Sequence, residues 1–171
     1  NGAQMHGVRG VAAAMGASLS TQLADRGPLV QADRNGDGKD IVACDITKQA
    51  DVDALVAQVG AIGALVVTAG LSPTMARGRA IYEVNFLGME RVLTAFEAIL
   101  QPGAAAVCFA STAGHFLPLT HEVAAVFDEP SSPQFFEHLA AACVVVDESA
   151  PAYCSSTTRV VRRFVPRAVL W

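Results

Sequence analysis

The segment Ala64-Leu65-Val66-Val67-Thr68-Ala69-Gly70-Leu71-Ser72-Pro73 decides how the rest of the chain is read. Residues 64 to 68 form a continuous run suited to a strand buried on both faces of a sheet. Small residues and a proline follow, and they end the strand in a turn. A second buried run, Ala104 to Ala110, leads into Ala110-Ser111-Thr112-Ala113-Gly114. Between the two strands, Arg79 to Leu100 has Ile81, Val84, Val92, Phe96, Ile99 and Leu100 on one inward face. That spacing predicts a long helix, and it carries Val84-Asn85-Phe86-Leu87-Gly88.

The same alternation extends toward the N-terminus. Met15, Leu19 and Leu23 share a helix face over 15–24, and Gly27 reads as its cap. Leu29 to Ala32 and Ile41 to Cys44 are short candidate strands. Asp51 to Val59 places Val52, Leu55, Val56 and Val59 at helical spacing, with Gly60 as the stop. Gln4 to Arg9 is expected to be a first strand, although it is poor in strand formers. Strands alternating with helices predict a parallel sheet with right-handed crossovers, whose ligands bind beyond the carboxyl ends of the strands. Residues 115–152 break the rhythm. Val123 to Phe127 and Phe135 to Cys143 read as short helices around the turn Pro130-Ser131-Ser132-Pro133. This stretch is too small for a core of its own and is read as an insertion in a single domain, 1–171.

Composition narrows the function. The net charge is -4 with no basic block, which disfavours nucleic-acid binding. Arg159, Arg162, Arg163 and Arg167 read as a solvated helix face. No apolar run reaches the roughly 18 residues of a membrane span, and the N-terminus lacks a secretory signal layout. The four cysteines, Cys44, Cys108, Cys143 and Cys154, form no CxxC pair and read as reduced thiols of a cytoplasmic protein. His115, His121 and His138 lack metal-ligand spacing. Asp33-Arg34-Asn35-Gly36-Asp37-Gly38 opens like a calcium loop, but the glutamate such a loop needs at its end is Cys44 here. A polar turn is expected instead, and no metal site.

Taken together, the blocks at Thr68-Ala69-Gly70, Asn85 and Ser111 to Gly114, followed by Tyr153, resemble the short-chain dehydrogenase/reductase family. The resemblance covers most of residues 10 to 114 and resumes near Pro151. Leu71-Ser72-Pro73, Gly114-His115 and the insertion before the tyrosine look like a bacterial subgroup related to 3α-hydroxysteroid dehydrogenases. It implies an α/β fold with a Rossmann-type doubly wound parallel sheet in three αβα layers. It also implies hydride transfer between NAD, with NADP left open, and a small apolar alcohol or ketone. Assembly as a homodimer or homotetramer goes with it.

Residue by residue, Gly10 and Gly16 match the first and third glycines of the family's TGxxxGxG, with Ala14 and Met15 between them and Ala14 in place of the middle glycine. Such a loop lets backbone approach a pyrophosphate at a helix N-terminus. Asp33 is placed to accept from ribose hydroxyls and favours NAD, and Arg34 beside it leaves NADP open. A solvated turn aspartate is the plain alternative. Asp45-Ile46 matches the adenine contact, or a helix N-terminal or turn carboxylate. Thr68, Ala69 and Gly70 match the family's NNAG block. Asn85 corresponds to the asparagine whose carbonyl holds a relay water, Ser111 to the substrate-binding serine, and Tyr153 to the acid/base. Each also has an ordinary structural reading.

The chain departs from the family in two places. The lysine of YxxxK is Thr157, and a phenol with its ordinary pKa of about 10 is a weak base without a neighbouring cation. Weak or absent turnover, with cofactor binding retained, is therefore expected. The other departure is the link from Asp33 to Ile41, only seven residues where a parallel crossover takes about ten to twelve or more. Either a crossover helix was lost or segments are joined without their connecting residues; the second is the expectation. Phe127, Phe135, Phe136 and Leu139 of the insertion are candidates for a substrate lid or a subunit contact.

Overall fold

The computed structural model describes residues 7–10, 13–23, 28–37, 39–116, 119–142 and 144–167. They fall into two compact units. The first runs to Ala69 and includes Arg91–Phe109; the second comprises Gly70–Glu90 and the chain from Ala110 onward.

The first unit holds the sheet. Its strands are β1 (Gly7–Gly10), β2 (Leu29–Asp33), β3 (Ile41–Ala43), β4 (Ile62–Val67) and β5 (Leu100–Cys108). Every pairing is parallel, in the order β3-β2-β1-β4-β5. Two helices punctuate them, α1 (Ala13–Leu23) and α2 (Gln49–Val59). The order reverses at β1 and β4, so right-handed crossovers place α1 on one face and α2 on the other. This is the doubly wound Rossmann-type arrangement. Gly60 caps α2 at φ 68°, a conformation that glycine adopts without strain. Ile62, Leu65 and Val67 of β4 are buried, together with Val52 and Leu55 of α2.

The link from β2 to β3 closes without a helix among its described residues. The register Gln31↔Ile41 to Asp33↔Ala43 shows why. The chain steps back only two strand residues, roughly 7 Å, before pairing again. Two devices hold the link. Asp37 Oδ1 accepts the N–H groups of Lys39, Asp40 and Ile41 at 2.9, 3.0 and 3.0 Å. Gly36 lies so close to β3 that an added Cβ would stand 2.6 Å from Ala43 N and Ile41 O. The calcium-like segment thus uses Asp37 to close its own backbone. Among the described residues no His, Cys, Asp or Glu cluster has a metal-holding arrangement.

The expected helix over 79–100 is corrected at its end and within. It comprises α3 (Gly78–Tyr82), a π-helical turn (Glu83–Gly88) and α4 (Met89–Glu97), and Leu100 opens β5 instead. A π turn takes more residues per turn than an α-helix and rotates everything after it. Val84, expected inward, is half-buried, while Phe86, Leu87 and Met89 are buried.

In the second unit, α5 (His121–Asp128), α6 (Phe135–Ala141) and α7 (Ser149–Arg167) complete the chain. The insertion shares its core with α3 and the π turn: Ile81, Tyr82, Phe86 and Leu87 pack with Val123, Phe127, Phe135 and Leu139. The Phe86 and Phe127 rings meet edge to face at 4.9 Å, and Phe135 stacks on Phe86 at 5.6 Å. For Phe127, Phe135 and Leu139 this corrects the expectation of a lid or contact surface. Phe127, Phe135 and Leu139 are interior, and Phe136 is half-buried with the Arg79 guanidinium 5.1 Å from its ring centre. Gly27 and Cys143 lie outside the described residues, as do the side chains of Arg159, Arg162, Arg163 and Arg167. Among the described residues no helix is long and apolar enough to cross a membrane.

Candidate active site

In the first unit, parallel register brings the expected cofactor residues to one edge of the sheet. Gly10 ends β1 opposite Ala32, and Asp33 ends β2 opposite Ala43. Thr68 follows the end of β4. Three residues after Gly10 the chain enters α1, so the helix N-terminus follows closely on the carboxyl end of the central strand. Ala14, Met15 and Gly16 lie in the first turn of α1; their side chains are outside the described set. Both carboxylates also close turns. Asp33 Oδ1 accepts the Asn35 N–H at 2.8 Å. Asp45 Oδ1 accepts the Thr47 N–H at 3.0 Å and its hydroxyl at 2.8 Å. Burial opposes ionisation of Asp45, but the Thr47 bonds prevail and its pKa is lowered. Ile46 is half-buried within that turn, and Arg34 is exposed.

Thr68 is 5% exposed, and its Oγ1 has no hydrogen-bond partner among the described residues. A buried hydroxyl left unpaired costs about 1–3 kcal/mol, so this group is one a ligand or water can satisfy. An orphan hydroxyl, a helix N-terminus and a strand-end carboxylate on one edge fit a dinucleotide. Asp33 would hold the ribose hydroxyls, and the N-terminus of α1 the pyrophosphate.

In the second unit, Asn85 sits in the π turn and is buried. Its Oδ1 accepts the Leu71 N–H at 2.7 Å, and its Nδ2 donates to the Leu71 carbonyl at 2.9 Å. The loop that leaves Gly70 is thereby fixed, with one donor and one acceptor of the side chain engaged. Ser111 caps a 3-10 turn, Thr112–His115, its Oγ accepting the Ala113 N–H at 3.2 Å. Gly114 closes that turn against α7, where an added Cβ would lie 2.8 Å from Thr158 N. Thr158 Oγ1 donates to the Gly114 carbonyl at 2.5 Å and to that of Cys154 at 2.9 Å. The serine turn and the helix carrying Tyr153 are therefore in direct contact.

Tyr153 is half-buried in α7. Thr157, in the lysine position, is 5% exposed and donates to the backbone carbonyls of Tyr153 and Cys154 at 2.8 and 3.0 Å. It brings neither charge nor an outward-facing donor. His115 is exposed.

Several joins have no signal in the sequence. Gly78 leaves no room for a Cβ, which would stand 2.2 Å from the Val146 carbonyl. Its N–H donates to the Asp147 carbonyl at 3.3 Å, and Ser149 Oγ donates to the Ala76 carbonyl at 2.8 Å. The Tyr82 and Ser155 hydroxyls meet 73 positions apart.

Comparison with solved structures shows the same fold. A 3-alpha-hydroxysteroid dehydrogenase from Pseudomonas sp. B-0831, complexed with NADH, superposes with a TM-score of 0.72 at 24% identity. That match covers 96% of this chain and 66% of the other. The aldohexose dehydrogenase of Thermoplasma acidophilum gives 0.67 at 16% identity, over 98% and 62% of the two chains. A short-chain dehydrogenase/reductase from Serratia marcescens gives 0.58 at 16%, over 92% and 67%. The chain thus spans about two thirds of the length of these structures. No curated protein matches the sequence. With residues 7–158 matching its pattern, and the parallel sheet and its strand-end residues lying inside that span, the chain belongs to the NAD dependent epimerase/dehydratase family.

Proposed function

We propose that this chain is an NAD(H)-dependent oxidoreductase of the short-chain dehydrogenase/reductase type, acting on a small apolar alcohol or ketone of hydroxysteroid-like character. The observation that carries it is the docking of the Ser111 turn onto the Tyr153 helix through Gly114 and Thr158. NAD is favoured over NADP by Asp33 at the end of β2. Exposed Met75 and Phe116, close in sequence to Leu71 and Ser111, support an apolar substrate.

When bound, the nicotinamide supplies or accepts the hydride. In the reducing direction the Ser111 hydroxyl donates a hydrogen bond to the substrate carbonyl oxygen, where negative charge develops. The Tyr153 phenol gives that oxygen its proton. The resemblance gives the relay water to the Asn85 backbone carbonyl, while the side chain bonds Leu71. A cytoplasmic location is part of this reading, supported by the free thiols of Cys44 and Cys154. So is a homodimer or homotetramer, which gel filtration reads directly.

Thr157 favours one second reading, a relative that binds dinucleotide without turnover, because the residue in the lysine position carries no charge and spends its hydroxyl on the Tyr153 carbonyl. NADH fluorescence titration followed by a ketone screen separates the two. Binding with turnover that Tyr153→Phe abolishes supports the enzyme. Binding without turnover supports the second reading, and no binding removes both.

A further inference from the structure

Tyr82 lies in α3, three residues before Asn85, and Ser155 lies in α7, two residues after Tyr153. Their hydroxyl oxygens are 2.5 Å apart. Ser155 has a single proton, and its Oγ donates to the Pro151 carbonyl at 2.8 Å, with the Ala152 carbonyl at 3.4 Å. Tyr82 is therefore the donor in the pair and Ser155 Oγ the acceptor. Tyr82 is wholly buried, and burial pushes its phenol up against the opposing pull of the Ser155 bond, so it stays protonated. It is a fixed donor and not a proton carrier.

The other joins between these helices lie toward their N-terminal ends. Arg79 Nε meets Asp147 Oδ1 at 3.0 Å, Gly78 donates to the Asp147 carbonyl, and Ser149 reaches Ala76. The first of these is exposed and contributes little. Only Tyr82–Ser155, among the described joins between α3 and α7, falls within three residues of both Asn85 and Tyr153. The Tyr82 ring is meanwhile wedged against Phe127, Phe135 and Phe136, at 6.4, 6.3 and 6.1 Å between centroids. Its hydroxyl thus has a fixed origin.

We propose that Tyr82 is a positioning residue, which sets through Ser155 where α7 presents the Tyr153 phenol relative to Asn85. The proposal rests on the assignment of Tyr153 as the acid/base. The chain has two tyrosines, so fluorotyrosine-labelled protein gives two fluorine resonances and its Tyr82→Phe variant only that of Tyr153. In that variant the Tyr153 resonance is expected to shift or broaden. The kcat for ketone reduction is expected to fall about tenfold with KM for NADH unchanged, as for a misplaced reacting group. The ring remains, so the melting point is expected to stay within about 3 °C of the parent. Ser155→Ala is expected to reproduce these effects, and Ser155→Thr, which keeps a hydroxyl, to restore the parent behaviour.

An unmoved Tyr153 resonance in both Tyr82→Phe and Ser155→Ala overturns the proposal, as does a fall in kcat matched by general loss of fold in both. Failure of the oxidoreductase reading shows elsewhere, as full turnover in Tyr153→Phe or none in the parent. The fluorine resonance alone then decides whether Tyr82 positions Tyr153.

Discussion

Asn85 holds Leu71 by both of its backbone polar groups, through an amide oxygen at 2.7 Å and an amide nitrogen at 2.9 Å. A residue of the π turn thereby dictates the path of the chain just after Ala69-Gly70. Asn85 is 6% exposed and Leu71 is half-buried, so removing the side chain takes the partner from two partly shielded backbone groups. Asn85→Ala is expected to cost about 2–3 kcal/mol, through two backbone groups left unpaired. Urea denaturation checks it, and Asn85→Asp, which keeps only the acceptor, should fall between.

The position of Thr157 sets the next expectation. Thr157→Lys puts a cation four residues after Tyr153, on the same helix face. Ketone reduction with NADH is expected to rise at least about tenfold, the scale of an added electrostatic partner. Because Thr157 is 5% exposed, the melting point should fall by several degrees. A stable variant with no gain in rate would sink the account of the missing cation.

Gly78 and Gly114 are fixed by lack of space, not by backbone conformation. Their missing Cβ atoms would meet backbone, at 2.2 Å from Val146 O and 2.8 Å from Thr158 N. Gly78→Ala and Gly114→Ala are each expected to destabilise by about 1–3 kcal/mol. Gly114→Ala should in addition lower kcat, since it pushes the Ser111 turn off α7. Thermal melts with parallel rate measurements distinguish the two.

Cys44 offers a chemical probe. Burial, with Asp51 and Asp45 nearby, pushes its thiol up to about 11. The thiolate is the reactive form, so at pH near 8 iodoacetamide should label Cys44 in the urea-unfolded chain well before it labels Cys44 in the folded protein. The raised value also means that this thiol's contribution to stability is whole below the ordinary thiol range and is lost as pH rises toward the folded value. Peptide mapping after timed alkylation reads the order of labelling.

Much of the sheet is legible in the sequence because apolar runs and strand-end turns are local signals. The run 64–68, observed as the strand Ile62–Val67, and the alternation with helices are readable, and so is the order of the blocks at Thr68, Asn85 and Ser111. The first strand shows the limit. Gly7–Gly10 is poor in strand formers, yet it pairs on both sides, with β2 and β4, and its neighbours impose its state. The π turn defeated the helical period, since one fixed repeat cannot place both Ile81 and Phe86 inward. The insertion's phenylalanines looked like a lid because their partners, Tyr82 and Phe86, come from a helix some forty residues earlier. Tyr82 and Ser155 left no trace in either local pattern.

The short link between β2 and β3 gives the sheet's margin an unusual dependence on protons. The three Asp37 bonds lower the pKa of its exposed carboxyl, those from Ile41 and Lys39 most. Its grip is complete above the ordinary carboxylate range and released as acid protonates it. Amide resonances of Lys39, Asp40 and Ile41 should therefore move together, below that range, and Asp37→Asn should abolish the transition. Ile41 and Val42 of β3 are only half-buried and Ala43 is exposed, so little apolar weight backs up the carboxylate. Acidification would then unzip the molecule from this border inward, with the central strands the last to notice.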